Sequence, residues 1–418
     1  MQHSKIINVI DIGTSKVTTL VGQYLDTEDK FNIIAVSSIP SLGFRKGQII
    51  NLEQASQTIT QSIESAERMA GFQINSAHIS ISAPHIESIN SHGVVAISNP
   101  NGEIDINDIT RVTEAAKAIS LPSGKEIIHI IQRKFTVDGQ EGVIDPIGMN
   151  GIRLEVEANL ILASSPALKN LKKCLEDIGI KVESLTYTGL STATAALTDT
   201  EKELGVALVD IGGSITNITI FIEGSPVFSS VVPIGANNVT NDLAIGLRFS
   251  IEDAEKIKLK LAKLFENKKF EDEVELSHFD IHSEDKKKIS LQTAINGIIK
   301  PRLEEIFNLI YAQIESSGFH QSIPAGIVLT GGGAMTVNAK EICNRTIPLP
   351  LRIANPPKVG GIVDDIMNPA YTSTIGLLLY NKNAKKSSGS STKGIKTPKI
   401  SMGGVFEKIK KILEPLLP

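Results

Sequence analysis

Two cysteines, Cys174 and Cys343, are all that the 418-residue sequence contains. They lie far apart without metal-ligand spacing, which excludes a disulfide scaffold and a Cys-based metal site and points to a reducing compartment. Tryptophan is absent and the net charge is only −4. A chain so nearly balanced exerts no general pull on nucleic acid. No apolar run approaches the ~18 residues that a membrane-spanning helix needs. The N-terminus, MQHSKIINVIDIG, runs directly into a strand pattern and lacks signal-peptide features. The expected location is therefore the cytoplasm. Apolar content of 41% and charged content of 21% suit a globular chain, and its length suggests two or more domains.

What is present is a repeated motif. Val206–Phe221 reads VALVDIGGSITNITIF, a buried strand, a glycine turn and an alternating second strand. Ile6–Val21 reads IINVIDIGTSKVTTLV and repeats the Asp-Ile-Gly turn. Glycines let backbone N–H groups approach a phosphate, since no Cβ blocks the way. Asp11 and Asp210, each at the end of a strand, would repel a phosphate directly but can hold a hydrated Mg²⁺ that contacts it. One such hairpin alone is equally an ordinary glycine turn; two suggest a duplicated fold clamping a nucleotide from both sides. A third element, IVLTGGGAM at Ile327–Met335, runs a strand into three glycines and suits close approach to a base or ribose. Gly235 and Asn238, in the turn Ile234–Asn238 before a helix, suit the phosphate tail.

These three elements are the signature of the actin, sugar-kinase and heat-shock-70 superfamily. DIGTSKV (Asp11–Val17), AGIVLTGGGA (Ala325–Ala334), YTSTIGLLLY (Tyr371–Tyr380) and the C-terminal tail narrow it. Over nearly its whole length the chain resembles the FtsA family of bacterial cell-division proteins. The resemblance implies an α/β, actin-like two-lobed ATPase fold with an inserted small αβ subdomain (1C) and a C-terminal amphipathic helix. On that plan lobe 1 (1A) comprises 1–83, completed by 164–204 and 364–380, with 1C at 84–163. Lobe 2 comprises 205–240 and 322–363 (2A) and 241–321 (2B). The implied ATP site draws on Asp11, Gly13, Thr14, Ser15 and Lys16 of the first hairpin. The second hairpin supplies Asp210, Gly212, Gly213, Ser214 and Asn217. Gly331, Gly332, Gly333 and Met335 come from the third element. Asp11 and Asp210 hold Mg through water.

Along the chain, Asn51 caps a helix whose Ala55, Ile59, Ile63, Ala66 and Met69 share a face, and Gly71 ends it. The block 84–163 carries strands and one helix, Asp108–Ile119. The resemblance assigns it contacts with neighbouring subunits and later division proteins; from its residues alone it is an insertion of unknown purpose. Ser250 caps a helix on which Glu255 and Lys258 lie three apart. The resemblance places them on ribose and adenine; otherwise they are a solvated ion pair. The charged stretch Glu266–Lys288 reads as an exposed loop with a hairpin at Glu273–Ile281. Leu291–Ser317 reads as a long helix broken near Gly297 and Pro301. Lys300 and Arg302 fall on the 2B face that, by resemblance, docks the tail of the tubulin-like protein FtsZ; a solvated KPR triplet is the plain alternative. Thr372 or Ser373 caps a helix Thr374–Tyr380.

After Tyr380 the composition changes. Residues 381–402 are rich in Lys, Ser, Gly and Thr, too polar to fold, and read as a disordered basic linker of about 25 Å root-mean-square span. Residues 403–418 follow. On a helix Val405, Phe406, Ile409, Ile412, Leu413, Leu416 and Leu417 cover an arc of roughly 140°. Lys408, Lys410 and Lys411 lie on the other side, and Pro415 disfavours further helix. A basic amphipathic helix on a tether reads as an in-plane anchor on an anionic lipid surface, with a partner groove as the alternative. One such helix binds marginally, and several in a self-associated filament bind by avidity. The implied location is the cytoplasmic side of the inner membrane, at the division septum.

Ser214, Ile215 and Asn217 depart from the superfamily form Asp-x-Gly-Gly-Gly-Thr-x-Asp, and Thr188–Ala196 (TGLSTATAA) offers no Glu or Gln to orient a water. ATP binding with weak or no turnover is expected. The competing functions are a small-molecule kinase of the same fold, for which no catalytic base can be placed, and a pilus-assembly type of membrane-associated actin relative. A heat-shock-70-type chaperone would require a β-rich peptide-binding domain after the nucleotide domain, where residues 381–418 read as a linker and one helix.

Overall fold

The structure is a computed structural model of the chain, described for residues 4–25, 30–265, 272–281, 288–362 and 364–389. The body comprises residues 1–381 and a separate C-terminal unit comprises 382–418. Of that unit only 382–389 are described, as the end of a helix.

The duplication legible in the two hairpins extends to whole sheets. In the first sheet, Ser4–Ile12, Lys16–Leu25 and Lys30–Pro40 form an antiparallel meander. Ser76–Ile81 and then Lys181–Tyr187 add in parallel beside Ser4–Ile12. In the second sheet, Val206–Ile211, Thr216–Ile222 and Ser225–Val232 form the meander. Ile327–Thr330 and Leu351–Ile353 add in parallel beside Val206–Ile211. Both aspartates therefore sit at the same place in their sheets: Asp11 opposite Thr18 and Ser80, Asp210 opposite Asn217 and Thr330.

Each sheet is covered by amphipathic helices. In Leu52–Ala70 the Asn51 side chain accepts from the Gln54 N–H at 3.1 Å, and Gly71 closes the helix at φ 79°. Ala55, Ile59, Ile63 and Ala66 are buried against the first sheet, whereas Met69 is 46% exposed, so the apolar stripe ends a turn early. The opposite face packs against Thr372–Gly389 through Ile375, Leu377 and Leu378. Truncating one such residue to alanine costs about 2–5 kcal/mol. The chain passes between the two sheets at Thr188–Ala196 and again between Leu351–Ile353 and Gly360–Gly361, which pairs with Lys30–Pro40. A Cβ on Gly376 would collide with the Ser191 carbonyl, so only glycine lets Thr372–Gly389 approach Thr188–Ala196 this closely.

The insertion joins the second sheet. Glu87–Ala96, Arg153–Ser164, Lys125–Val137 and Gln140–Val143 follow Ser225–Val232 in strand order, linked through Ser230 and Glu87. Ile106–Lys117 covers them, starting two residues before the expected Asp108, with Asp105 as its cap. Along Arg153–Ser164 the alternation of Leu154 and Val156 with Glu155 and Glu157 gives way to unbroken burial from Ala158 to Ala163. There the strand lies between two cores: Leu160 and Leu162 face the insertion, Ile161 and Ala163 face lobe 1.

Two expectations are corrected, and the expected break near Gly297 and Pro301 is found. The stretch around 273–291 is not an exposed loop. Val274, Leu276, Phe279, Ile281 and Ile289 are buried in the core of lobe 2, and Glu273–Glu275 pairs with Lys288–Ser290, not within 273–281. Residues 266–271 and 282–287 lie outside the described residues. The break before Pro301 is a π-helix, Thr293–Ile299, leading into Lys300–Ser316. Proline has no N–H for the Gly297 carbonyl and its ring crowds that group, so the helix widens. Last, the final described helix starts at Thr372, which together with Ser373 lies inside it, and runs past Tyr380 to Gly389. Asn381 is buried and donates to the Leu377 carbonyl at 2.9 Å. The rest of the linker and all of 403–418, including every residue assigned to the membrane-facing helix, lie outside the described residues.

Candidate functional site

The ends of the duplicated hairpins meet. Gly13 N–H donates to the Lys16 carbonyl at 3.0 Å and Gly212 N–H to the Ile215 carbonyl at 2.9 Å, the same turn in both. Between them lies a cleft of about 370 Å³ lined by Asp11, Gly13, Thr14, Ser15, Lys16, Asp210, Gly212, Gly213, Asn217, Glu255, Lys258 and Gly331–Gly333. Met335 lies outside it, in an adjoining cavity of about 790 Å³ that shares Lys258, Leu259, Gly332 and Ala370 with the first. Gly331, at φ 86°, takes a left-handed conformation that a side chain disfavours.

The two aspartates are held differently. Asp11 Oδ1 accepts from Ser80 Oγ at 2.5 Å, and Oδ2 accepts from Ser373 Oγ at 2.6 Å and Thr374 Oγ1 at 2.7 Å. Asp210 Oδ2 accepts longer bonds, from Thr192 Oγ1 and Asn217 Nδ2, both 3.3 Å. Burial, and secondarily the nearby charge of Asp11, pushes the Asp210 carboxyl up to about 6; Asn217 and Thr192 oppose this. Asn217 Oδ1 in turn accepts from Ser82 Oγ.

Two cations, Lys16 half-buried and Lys258 buried, complete the cleft. Lys16 Nζ lies 3.1 Å from the centroid of the Tyr371 ring. Burial lowers its pKa, opposed by Tyr371 and Asp11. Lys258 is 5% exposed. Its Nζ contacts Glu255 Oε2 at 2.7 Å and Thr240 Oγ1 at 2.8 Å. Burial lowers its pKa too, against the pull of Glu255.

Some expected donors are already engaged. Ser214 N–H donates to Thr14 Oγ1 at 2.9 Å, tying one hairpin loop to the other. Ala236 and Asn237 N–H, at the start of helix Ala236–Leu247, donate to the Gly212 and Gly213 carbonyls at 2.9 and 2.7 Å. Asn237, not Asn238, lines the cleft; Asn238 Oδ1 accepts from Gly235 N–H at 3.2 Å and caps its own helix. At the other expected surface, Lys300 is half-buried. Arg302 is not a free cation: Nε and Nη2 fork onto Asp242 at 2.5 and 3.0 Å, and Nη1 reaches Glu305 at 2.5 Å. Ser80, Ser373 and Thr374 are site residues that motif spacing missed. Ser373 and Thr374 lie in the quoted YTSTIGLLLY stretch, but only the fold brings them to Asp11.

Among the described residues no group of three or more His, Cys, Asp or Glu is placed to hold a metal, and no helix is long and apolar enough to cross a membrane. Two carboxylates with hydroxyl neighbours nevertheless fit a hard, hydrated divalent cation that completes its shell with water and a ligand's oxygens. The mutual repulsion between Asp11 and Asp210 is what such a cation would relieve.

Residues 83–162 match a family described as "SHS2 domain inserted in FTSA", and residues 207–376 one described as "Cell division protein FtsA". The chain is 38% identical to the cell division protein FtsA of Pseudomonas aeruginosa over 391 residues, covering 94% of this chain and 92% of that one. Among solved structures, a PilM–PilN type IV pilus biogenesis complex aligns with TM-score 0.60 at 15% identity, covering 90% of this chain and 98% of that one. MreB 5 of Spiroplasma citri bound to AMPPNP aligns with TM-score 0.54 at 16% identity, covering 93% and 99%. Likeness at these identities shows a shared fold, the actin-like one. Sequence match over both the insertion and the second lobe is more specific, and on it the chain belongs to the FtsA family of cell division proteins.

Proposed function

We propose that this protein binds ATP with Mg²⁺ in the cleft, self-associates, and tethers FtsZ filaments to the cytoplasmic face of the inner membrane at the septum. The observation that carries nucleotide binding is the convergence of both glycine hairpins, both aspartates and Gly331–Gly333 on one cleft. The fold neighbour bound to AMPPNP supports it. Phosphates sit between the hairpin loops, and the base enters the larger adjoining cavity beside Lys258 and Met335. Mg²⁺ would neutralise phosphate charge there, held through water by Asp11 and Asp210. Lys16 supplies positive charge to the phosphates, Lys258 with Glu255 offers polar groups beside the base and ribose, and Asn217 with Thr192 orients Asp210.

Turnover is slow or absent on this account. Thr188–Ala196, which borders the cleft through Thr188, carries no acid or amide to orient a water, and Thr192 is committed to Asp210. The experiment is calorimetric titration of ATP with Mg²⁺, followed by phosphate release. Saturable binding with turnover far below ~1 s⁻¹, the low end of ordinary enzymes, supports the reading; no binding overturns it. The C-terminal tail rests on sequence: its apolar arc and lysines suit an anionic membrane surface, and the FtsZ tail and later division proteins are assigned to 2B and the insertion by family membership.

A further inference from the structure

The strongest feature that the nucleotide reading leaves unused is the shell of hydroxyls around Asp11. Three O–H donors converge on one carboxylate: Ser80 from the first sheet, and Ser373 and Thr374 from the first turn of the helix that closes the body, 362 and 363 residues away. A carboxylate has about four lone-pair positions. Three are filled here by bonds of 2.5 to 2.7 Å. Charge-assisted hydrogen bonds of this length are the strong kind, so rotation of this carboxylate is restrained. The fold duplication supplies an internal control. The equivalent carboxylate of Asp210 has two hydrogen-bond partners among the described residues, both at 3.3 Å. Opposite it, Thr330, which stands where Ser80 stands, donates instead to the Ala354 carbonyl at 3.1 Å. The two halves share a backbone plan and differ in what orients their acids.

We infer that Ser373 and Thr374, with Ser80, are positioning residues that fix the Asp11 carboxylate so that its remaining lone pair accepts from a water of the nucleotide's divalent cation. A carboxylate that already accepts from three hydroxyls is a poor direct ligand and, through its one remaining lone pair, a well-aimed acceptor for a coordinated water, which is how Mg²⁺, reluctant to dehydrate, is commonly held. Asp11 is then the fixed partner of the cation and Asp210 the adjustable one. This inference rests on the reading that the cleft binds Mg²⁺ with nucleotide.

The test compares ATP affinity in Mg²⁺ with affinity in EDTA for the full chain, Ser373→Ala, Thr374→Val and Thr374→Ser. Ser373 is half-buried, so Ser373→Ala leaves the core intact, and the melting temperature without nucleotide checks each variant. The expected result is that Ser373→Ala and Thr374→Val weaken binding about tenfold in Mg²⁺ and little in EDTA, while Thr374→Ser restores the Mg²⁺ advantage. A purely structural role would move both affinities together and would not be rescued by serine. If the unaltered protein shows a Mg²⁺ advantage and Ser373→Ala keeps it in full, this inference is wrong and the nucleotide reading stands. If the unaltered protein has no Mg²⁺ advantage, the nucleotide reading fails first.

Discussion

Asn217 donates to Asp210 across the second hairpin, Nδ2 to Oδ2 at 3.3 Å, in the register that pairs Thr18 with Asp11 in the first. That contact stabilises a carboxylate whose burial, together with the charge of Asp11, raises its pKa to about 6. An acid with a raised folded-state pKa contributes stability that is present at low pH and lost as pH rises through that value. Ionised Asp210 therefore destabilises the empty protein near pH 7.5, by on the order of 3 kcal/mol. Asp210→Asn should raise the nucleotide-free melting temperature and weaken ATP binding in Mg²⁺ at least about tenfold. The stability gain should open between pH ~4 and ~6 and be flat above. Paired melting curves over that range check it.

His129 moves stability in the opposite direction. Its Nε2 accepts from Tyr187 N–H at 2.9 Å, and burial lowers its pKa to about 4. The unfolded chain takes a proton near 6.5 and the folded one does not until about 4, so stability is present above that window and lost as pH falls through it. Chemical denaturation should show wild type losing about 1 kcal/mol per pH unit more than His129→Gln in this range.

Lys258 is a buried cation on the cleft wall, held by Glu255, which also lines the cleft, and by the buried Thr240. Replacing it with methionine keeps its apolar stem and removes the charge. ATP affinity should fall about ten- to a hundredfold, the value of a charge-assisted hydrogen bond. Unchanged affinity by calorimetry would assign the pair a purely structural role.

Arg302 braces Lys300–Ser316 against Ala236–Leu247 through its fork on Asp242. Arg302→Ala should lower stability by about 1 kcal/mol in denaturant titrations. Arg302→Lys should not restore it, because a lysine cannot form the two-pronged contact.

How much of this was legible depends on distance along the chain. The hairpins were visible because the Asp-Ile-Gly turn and its flanking alternation are local, and their repetition foretold a duplicated fold. The Asn51 cap and Gly71 stop are equally local. The partners of Asp11 were not visible: Thr374 is an unremarkable helical residue until the fold brings it 363 positions back. Arg302 read as a surface cation because Asp242 lies 60 residues away. At the start of Ala236–Leu247 one residue separates Asn237, which lines the cleft, from Asn238, which caps the helix. Around 273–291 the density of charge concealed Val274, Leu276 and Phe279, each buried between exposed neighbours.

The central claim, a nucleotide-loaded scaffold held to membrane by its tail, is tested most directly by co-sedimentation with anionic liposomes. The full chain is compared with one ending at Gly389, each with and without ATP and Mg²⁺. The account predicts that only the full chain pellets, and more strongly with ATP and Mg²⁺, because self-association multiplies weak single-helix binding. A full chain that stays in the supernatant in every condition would contradict it.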